Sequence, residues 1–254
     1  MNWRGVWREM RVLDLFSNIG GHCLGLQAAG EFRTIQFVEI EPRRQRLLAH
    51  HFPGIPIHGD VRTFGGVKAD IVIGGPPCQR TSVAAAMSGT RTGESLWPEM
   101  LRVGIDAGAE WFVVEQPPGN KEWEAEVTRS LAEAGFHSAG VEFAACDLGA
   151  PHIRRRVFIL ANASLTRLSL AWQAVPQEID RIARAAASGN PWHAGPPGNL
   201  RVANGPSGWL DRNASVEAIG DANPPAMATV IGRAIMSAQQ LPSDVVREQV
   251  RVVG

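Results

Sequence analysis

Short apolar runs, each halted by glycine, proline or an acid, recur through the first part of the chain. They cover Met10 to Phe16, Arg33 to Ile40, a brief run ending in HGDVRTF, Ile71 to Ile73, EWFVVEQ, Gly140 to Ala144 and Val157 to Leu160. The β-branched residues and short lengths of these runs predict buried strands. Between them lie stretches with helical spacing: Leu24, Leu26 and Ala28 stopping at Gly30, an arginine-rich segment with Arg43, Arg44 and Arg46, a stretch through Leu101 and Ile105, and Trp123 to Ala134. Alternation of this kind predicts an α/β fold built on a mostly parallel, doubly wound sheet. From Asn162 to Ser215 the character changes to Gly, Pro, Asn and isolated Trp, with one amphipathic stretch at Glu178 to Ala187. A last helix follows, with Met227, Val230, Ile231, Ala234 and Ile235 on one face. Three parts are expected: residues 1–161, a small loop-rich lobe at 162–215, and a segment at 216–254 that returns to the first part.

Chemistry collects where the strands end. After Ile71 to Ile73, Gly74 and Gly75 allow a sharp turn, Pro76 and Pro77 stiffen the chain, and Cys78 follows with Gln79 and Ser82. A buried filler cysteine has no use for a double proline before it, so Cys78 reads as a nucleophile at the carboxyl edge of the sheet, where α/β proteins bind ligands. Gly20 and Gly21 form a turn into the first helix that brings backbone amides close to a ligand. Glu39, about 20 residues further on, suits ribose hydroxyls, and Asp60 ends the third strand at the same edge. These three features in a row imply an adenosine-type cofactor. Residues Arg80 to Trp97 have the composition of a loop that closes over a substrate. Glu115 ends the fifth strand between Val114 and a double proline, a setting that favours burial, a raised pKa and a role as proton donor. Near the last strand, alternation places Arg154 and Arg156 on one face and Arg155 on the other.

Composition narrows the partners. The 254 residues carry 25 basic and 25 acidic side chains, so no global field announces a nucleic acid, and any such binding needs a local patch. Three cysteines, Cys23, Cys78 and Cys146, lack CxxC spacing, which argues against a metal site or disulfide framework and for a reducing compartment. No window approaches a membrane span. A cytoplasmic monomer with no metal and no membrane partner is expected.

Taken together, DLFSNIGG, GGPPCQ, VEQPPG, APHIRRR and AIGDANPP resemble, in order and spacing, five motifs of the cytosine-C5 DNA methyltransferases, which use S-adenosylmethionine. The resemblance covers Arg11 to Ala161 and Val216 to Ser237. It implies the Rossmann-like class I methyltransferase fold, double-stranded DNA as partner, and the compact form found in phage-type and restriction-modification members. It also implies a role for Cys78 as the thiolate that adds to C6 of a flipped cytosine. By the same resemblance Glu115 contacts N3 and the exocyclic amine, Arg154 the base carbonyl, and Arg156 orients the site. The implied cofactor contacts are Phe16, Asn18, Gly20 and Gly21 at the methionine part, Glu39 at the ribose, Ile40 and Asp60 at the adenine, Pro77 and Leu96 nearby, and Asp221 and Ala222 at the amino-acid end. Gln79, Ser82 and Arg91 belong to the implied substrate loop.

Several positions depart from the family pattern: Asn18 replaces Gly, Gln116 and Pro117 replace Asn-Val, His152 replaces Gln, and Asp221 replaces Asn. A carboxylate at 221 repels the carboxylate of the cofactor unless it is protonated or paired, so Asp221→Asn is expected to tighten cofactor binding. Two neighbouring readings share these motifs, an RNA cytosine-C5 methyltransferase and a catalytically silent DNA-binding relative. Retention of Cys78 and Glu115 argues against the second. A dinucleotide-dependent dehydrogenase is disfavoured, because GGxxxG is not the dinucleotide spacing.

Overall fold

The computed structural model describes residues 8–77, 95–188 and 223–239. Among the described residues seven strands form one sheet: β1 (Met10–Leu15), β2 (Phe32–Val38), β3 (Ile57–His58), β4 (Ile71–Gly74), β5 (Trp111–Gln116), β6 (His137–Ala144) and β7 (Arg155–Asn162). Their order is β3-β2-β1-β4-β5-β7-β6, with parallel pairing from β3 to β5 and antiparallel pairing of β7 to both neighbours. This is the α/β, Rossmann-like architecture expected from the sequence. The chain steps outward from β1 in both directions, so the crevice between the carboxyl ends of β1 and β4 is the topological switch point, where this class of sheet receives ligands.

Among the described residues six α-helices cover the sheet: α1 (Gly21–Ala29), α2 (Pro42–His51), α3 (Trp97–Ala107), α4 (Lys121–Glu133), α5 (Leu165–Ser188) and α6 (Pro225–Gln239). The strand period of two sorts the core residues to opposite faces. Val12, Ile71, Ile73, Trp111, Val113, Phe158 and Leu160 pack with α1, α5 and α6. Leu13, Leu15, Val72, Phe112, Val114, Ile159 and Ala161 pack with α3 and α4. Both faces are therefore dry, which is why the central strands read as unbroken apolar runs. Cys23, Phe37, Leu48 and Phe52 make a smaller cluster under α2.

The helix expected at Glu178 to Ala187 is longer than its sequence pattern suggested, running from Leu165 to Ser188 with Pro176 inside it. Leu168, Ala171, Val175 and Ala186 are its buried positions, and Pro176 lies on the exposed side. Its neighbour α6 also packs on α1. Among the described residues no helix is long and apolar enough to cross a membrane.

Candidate active site

The turn between β1 and α1 is held in an unusual backbone. Phe16 and Asn18 both have positive φ, 55° and 51°, and Gly20 reaches 87°. Asn tolerates this region and Gly prefers it, whereas Phe16 is strained there. Ser17 fixes the turn: its hydroxyl donates to the Asp14 carbonyl at 2.5 Å and accepts from the Val38 amide at 3.1 Å. Strain retained by such anchoring is common at ligand sites. At Gly21 a side chain is impossible, since a Cβ would lie 2.1 Å from the Asn223 carbonyl oxygen. The chain entering α6 thus lies directly on the start of α1.

Next along the sheet edge, Glu39 is buried, and its two carboxylate oxygens accept the amides of Asn18 and Glu41 at 2.8 and 2.9 Å. Burial raises its pKa, with the two amide hydrogen bonds pulling the other way. Ile40 follows with 62% of its surface exposed, an apolar platform at the rim. Asp60 caps the short turn at Val61–Thr63 through the Arg62 amide and pairs with the Arg62 guanidinium. That side-chain hydrogen bond holds its carboxyl below the ordinary range. Arg102 of α3 grips the same turn, donating to the carbonyls of Val61 at 2.9 Å and Phe64 at 3.2 Å. The sequence reading missed Arg102, because nothing in a helix pattern shows which loop a half-buried arginine reaches.

Past β4, Gly75 is where the site narrows. A Cβ there would come within 2.8 Å of Glu115 Oε2, so the glycine lets the glutamate lie against the β4 backbone. Gln116, next to it, donates through Nε2 to the Pro76 carbonyl and ties the ends of β4 and β5 together. This gives the departure from Asn-Val a structural function. Glu115 is buried as expected and forms an ion pair with Nε of Arg156. Pro77 is exposed, and its carbonyl faces the Leu96 amide at 3.5 Å. Leu96 is half-buried at the start of α3.

Arg154 departs from its expected place. β7 starts at Arg155, and Arg154 precedes it with φ of 33°, so strand alternation does not govern its side chain. Arg155 turns outward to Glu142 at 3.3 Å, and Arg156 turns inward to Glu115. The strand therefore separates Arg155 from Arg156 as expected, while Arg154 belongs to the preceding turn. His152 is exposed. Cys78, Gln79, Ser82, Arg91, Asp221 and Ala222 lie outside the described residues. Among the described residues no group of three or more His, Cys, Asp or Glu is arranged to hold a metal.

One group in this site went unnoticed in the sequence. His22, in the first turn of α1, is buried with its Nδ1 3.3 Å from Asp14 Oδ1. Burial opposes its charge, but the hydrogen bond and charge of Asp14, with a further contribution from Glu115, outweigh that and raise its pKa. Burial likewise raises the pKa of Asp14 against the pull of His22. A polar residue at an inward position of a helix is the signal that could have found it.

The family model of C-5 cytosine-specific DNA methylases matches residues 10–186. Type II methyltransferase M.AquIA of a Picosynechococcus strain is 32% identical over 180 residues, covering 61% of this chain and 72% of that protein. Type II methyltransferase M2.BsuMI of Bacillus subtilis is 30% identical over 164 residues, covering 60% of this chain and 42% of the relative, so the match spans less than half of that longer protein. A mutant of Spodoptera frugiperda DNMT2 shares the fold, with a TM-score of 0.51 at 18% identity over 62% of this chain and 51% of the other. The chain belongs to the C-5 cytosine-specific DNA methylase family.

Proposed function

We propose that this chain catalyses C5 methylation of cytosine in double-stranded DNA, using S-adenosylmethionine. The observation that carries the reading is the buried Glu115–Arg156 pair beside Gly75, at the switch-point crevice into which Pro76 and Pro77 lead towards Cys78.

The residues present fit the cofactor. Buried Asp14 Oδ2, Asn18 Oδ1 and both side-chain polar atoms of Asn223 have no hydrogen-bond partner in the protein and lie on the segments that meet at the β1–α1 turn. Such atoms are costly unless a ligand or water satisfies them. Phe16, Asn18, Gly20 and Gly21 would hold the methionine part, together with Asp221 and Ala222. Each Glu39 oxygen keeps a lone pair for a ribose hydroxyl beyond the amide it already accepts. Ile40 would pack on the adenine, with Asp60, Pro77 and Leu96 around it. When bound, the cofactor supplies a methyl group made electrophilic by its sulfonium.

The protein's own part is to make C5 of cytosine reactive. A thiolate at Cys78 forms a bond to C6, and the ring's electrons shift towards C5 and N3. Glu115 hydrogen-bonds N3 and the exocyclic amine and supports that shift, while Arg156 fixes the carboxyl in place. Arg154 would contact the base carbonyl. Gln79, Ser82 and Arg91 would line the substrate loop. C6 cannot be reached inside a duplex, so the base must leave the stack. Within the segment 162–215 proposed as a recognition lobe, residues 165–188 form α5, which packs on the sheet, and the remainder would contact the target bases.

The test is incubation with S-adenosylmethionine and duplex DNA containing 5-fluorocytosine, which cannot lose its C5 substituent after addition. A covalent protein–DNA adduct is expected, and Cys78→Ala abolishes it. An adduct with RNA and none with DNA moves the substrate to RNA. No adduct with either, by protein that binds the cofactor, overturns the enzymatic reading.

A further inference from the structure

β1 and the first turn of α1 bury an acid and an imidazole against each other, and the pair is incomplete. Asp14 and His22 are 0% and 5% exposed. Their contact uses Asp14 Oδ1 and His22 Nδ1, and the other polar atom of each, Asp14 Oδ2 and His22 Nε2, has no hydrogen-bond partner. A merely structural pair in a core is costly to leave half-satisfied. Asn18 and Asn223 carry further unpartnered atoms on the adjoining segments, and Gly21 is stripped of a side chain so that residue 223 can reach the turn. The unsatisfied atoms therefore belong to two sides of one junction, as a site for a small polar ligand requires.

Charge decides what that ligand brings. Asp14 favours the charged form of His22 through its hydrogen bond and charge, and a second positive charge placed on Asp14 makes that proton redundant in a medium where excess charge is costly. Glu115, which also acts on His22, and the other titratable or charged groups on the elements around α1 do not replace Asp14 in this role. Glu115 of β5 is already paired with Arg156 of β7. Cys23 of α1 is hydrogen-bonded with Thr34 of β2. Arg233 of α6 turns to Glu178, 3.8 Å away. Glu39, beyond β2, accepts two amides.

Resting on the cofactor reading above, we propose that the open oxygen of Asp14 takes the α-ammonium of S-adenosylmethionine and that His22 gives up its proton to solvent as the cofactor binds. His22 is thus a positioning residue that keeps Asp14 oriented and balanced in the free protein and becomes neutral in the complex. The hydrogen bond and charge of Asp14 favour the protonated imidazole in the free protein against the cost of burial, so His22 holds a proton that it can release. Binding strengthens as pH rises through the titration of His22, by up to about tenfold per pH unit for one linked proton.

Calorimetric titration of the full chain with S-adenosylmethionine, in two buffers of different ionisation enthalpy, counts the protons. Wild-type protein is expected to release protons on binding and to bind more weakly at pH 6 than at pH 8. His22→Gln, which still reaches Asp14 with an amide, is expected to bind with less proton release and a flatter pH profile. The cofactor's own amine titrates identically in both experiments and cancels in the comparison. Equal proton release and equal pH profiles for the two proteins overturn the proposal. If His22→Gln does not fold, nitrogen NMR of the wild-type imidazole decides: conversion of His22 from imidazolium to neutral on adding cofactor supports it, and an unchanged charge state overturns it. Failure of wild-type protein to bind S-adenosylmethionine at any pH overturns the cofactor reading itself, and this proposal with it.

Discussion

Arg156 meets Glu115 diagonally across the β5–β7 pair, two residues from the Phe158 that lies directly opposite the glutamate. Their side chains are 13% and 9% exposed, so removing one partner strands the other in a dry site. Breaking a buried pair in this way costs about 3–5 kcal/mol. Arg156→Ala is therefore expected to lower stability by about that amount in urea unfolding at pH 7. Adding Glu115→Gln should return part of the loss, giving a coupling energy above about 1 kcal/mol in the double-mutant cycle. Strictly additive single mutants would show that the pair is not energetically connected. Under the proposed function, Glu115→Gln alone lowers methyl transfer by about 10²–10⁴-fold, while cofactor affinity changes little.

The crossing of α1 and α6 depends on Gly25. A Cβ there would lie 2.2 Å from the Pro225 carbonyl oxygen and 2.5 Å from the Ala228 Cβ, and Thr229 donates its hydroxyl to the Gly25 carbonyl at 2.9 Å. Neither the helix backbone nor a buried methyl can yield as a long side chain would. Gly25→Ala is expected to cost about 1–3 kcal/mol through overpacking, despite alanine's better helix propensity. Gly65, with nothing within 4 Å of its added Cβ, is the control. Thermal melts that rank the two substitutions equally would contradict the close helix contact.

What the sequence made legible was whatever a strand end or a period expresses locally. Glu115 and Asp60 were found because an apolar run stops at each, and the two-faced core followed from unbroken runs such as Trp111 to Val114. Arg154 was misplaced because alternation says nothing about where a strand begins, and a left-handed residue resets the pattern one position before β7. The full length of α5 was obscured by Pro176 and by Trp172, although Leu168, Ala171, Val175, Ile179 and Ile182 keep a spacing of three or four. The joining of β4 to β5 by Gln116, and of Asp14 to His22, depends on contacts across the sheet or between separate elements. No local pattern encodes those.

Burial pushes the Cys23 thiol up to about 12, with the charge of Asp14 adding and a hydrogen bond with Thr34 opposing. A thiol whose pKa is higher in the folded state favours folding while it stays protonated. Its contribution is complete below the ordinary thiol pKa and is lost as pH rises from there towards about 12. Cys23→Ala is expected to flatten the alkaline limb of the stability profile between those values, alongside a pH-independent loss of packing. In native protein, iodoacetamide should modify exposed Cys146 and spare Cys23 until unfolding, because the thiolate is the reactive form. Mass spectrometry of the alkylated peptides reads both sites, and rapid native labelling of Cys23 would contradict its burial.

Arg102 offers a test of how the proposed adenine side of the site is held. Its guanidinium ties α3 to the Val61–Thr63 turn through the Val61 and Phe64 carbonyls, and is itself steadied by Glu99 at 2.8 Å. Asp60 caps that turn, so the arginine fixes the backbone that carries the proposed adenine contact without lying on the sheet edge itself. Arg102→Met keeps much of the apolar stem and removes the donors. The expected result is weaker S-adenosylmethionine binding by about tenfold, the equivalent of one charge-assisted hydrogen bond, with kcat at saturating cofactor nearly unchanged. Arg102→Lys should recover only part, since a single ammonium cannot reproduce the fork that spans two carbonyls. A fall in kcat with unchanged cofactor affinity would place the effect elsewhere than the Asp60 turn.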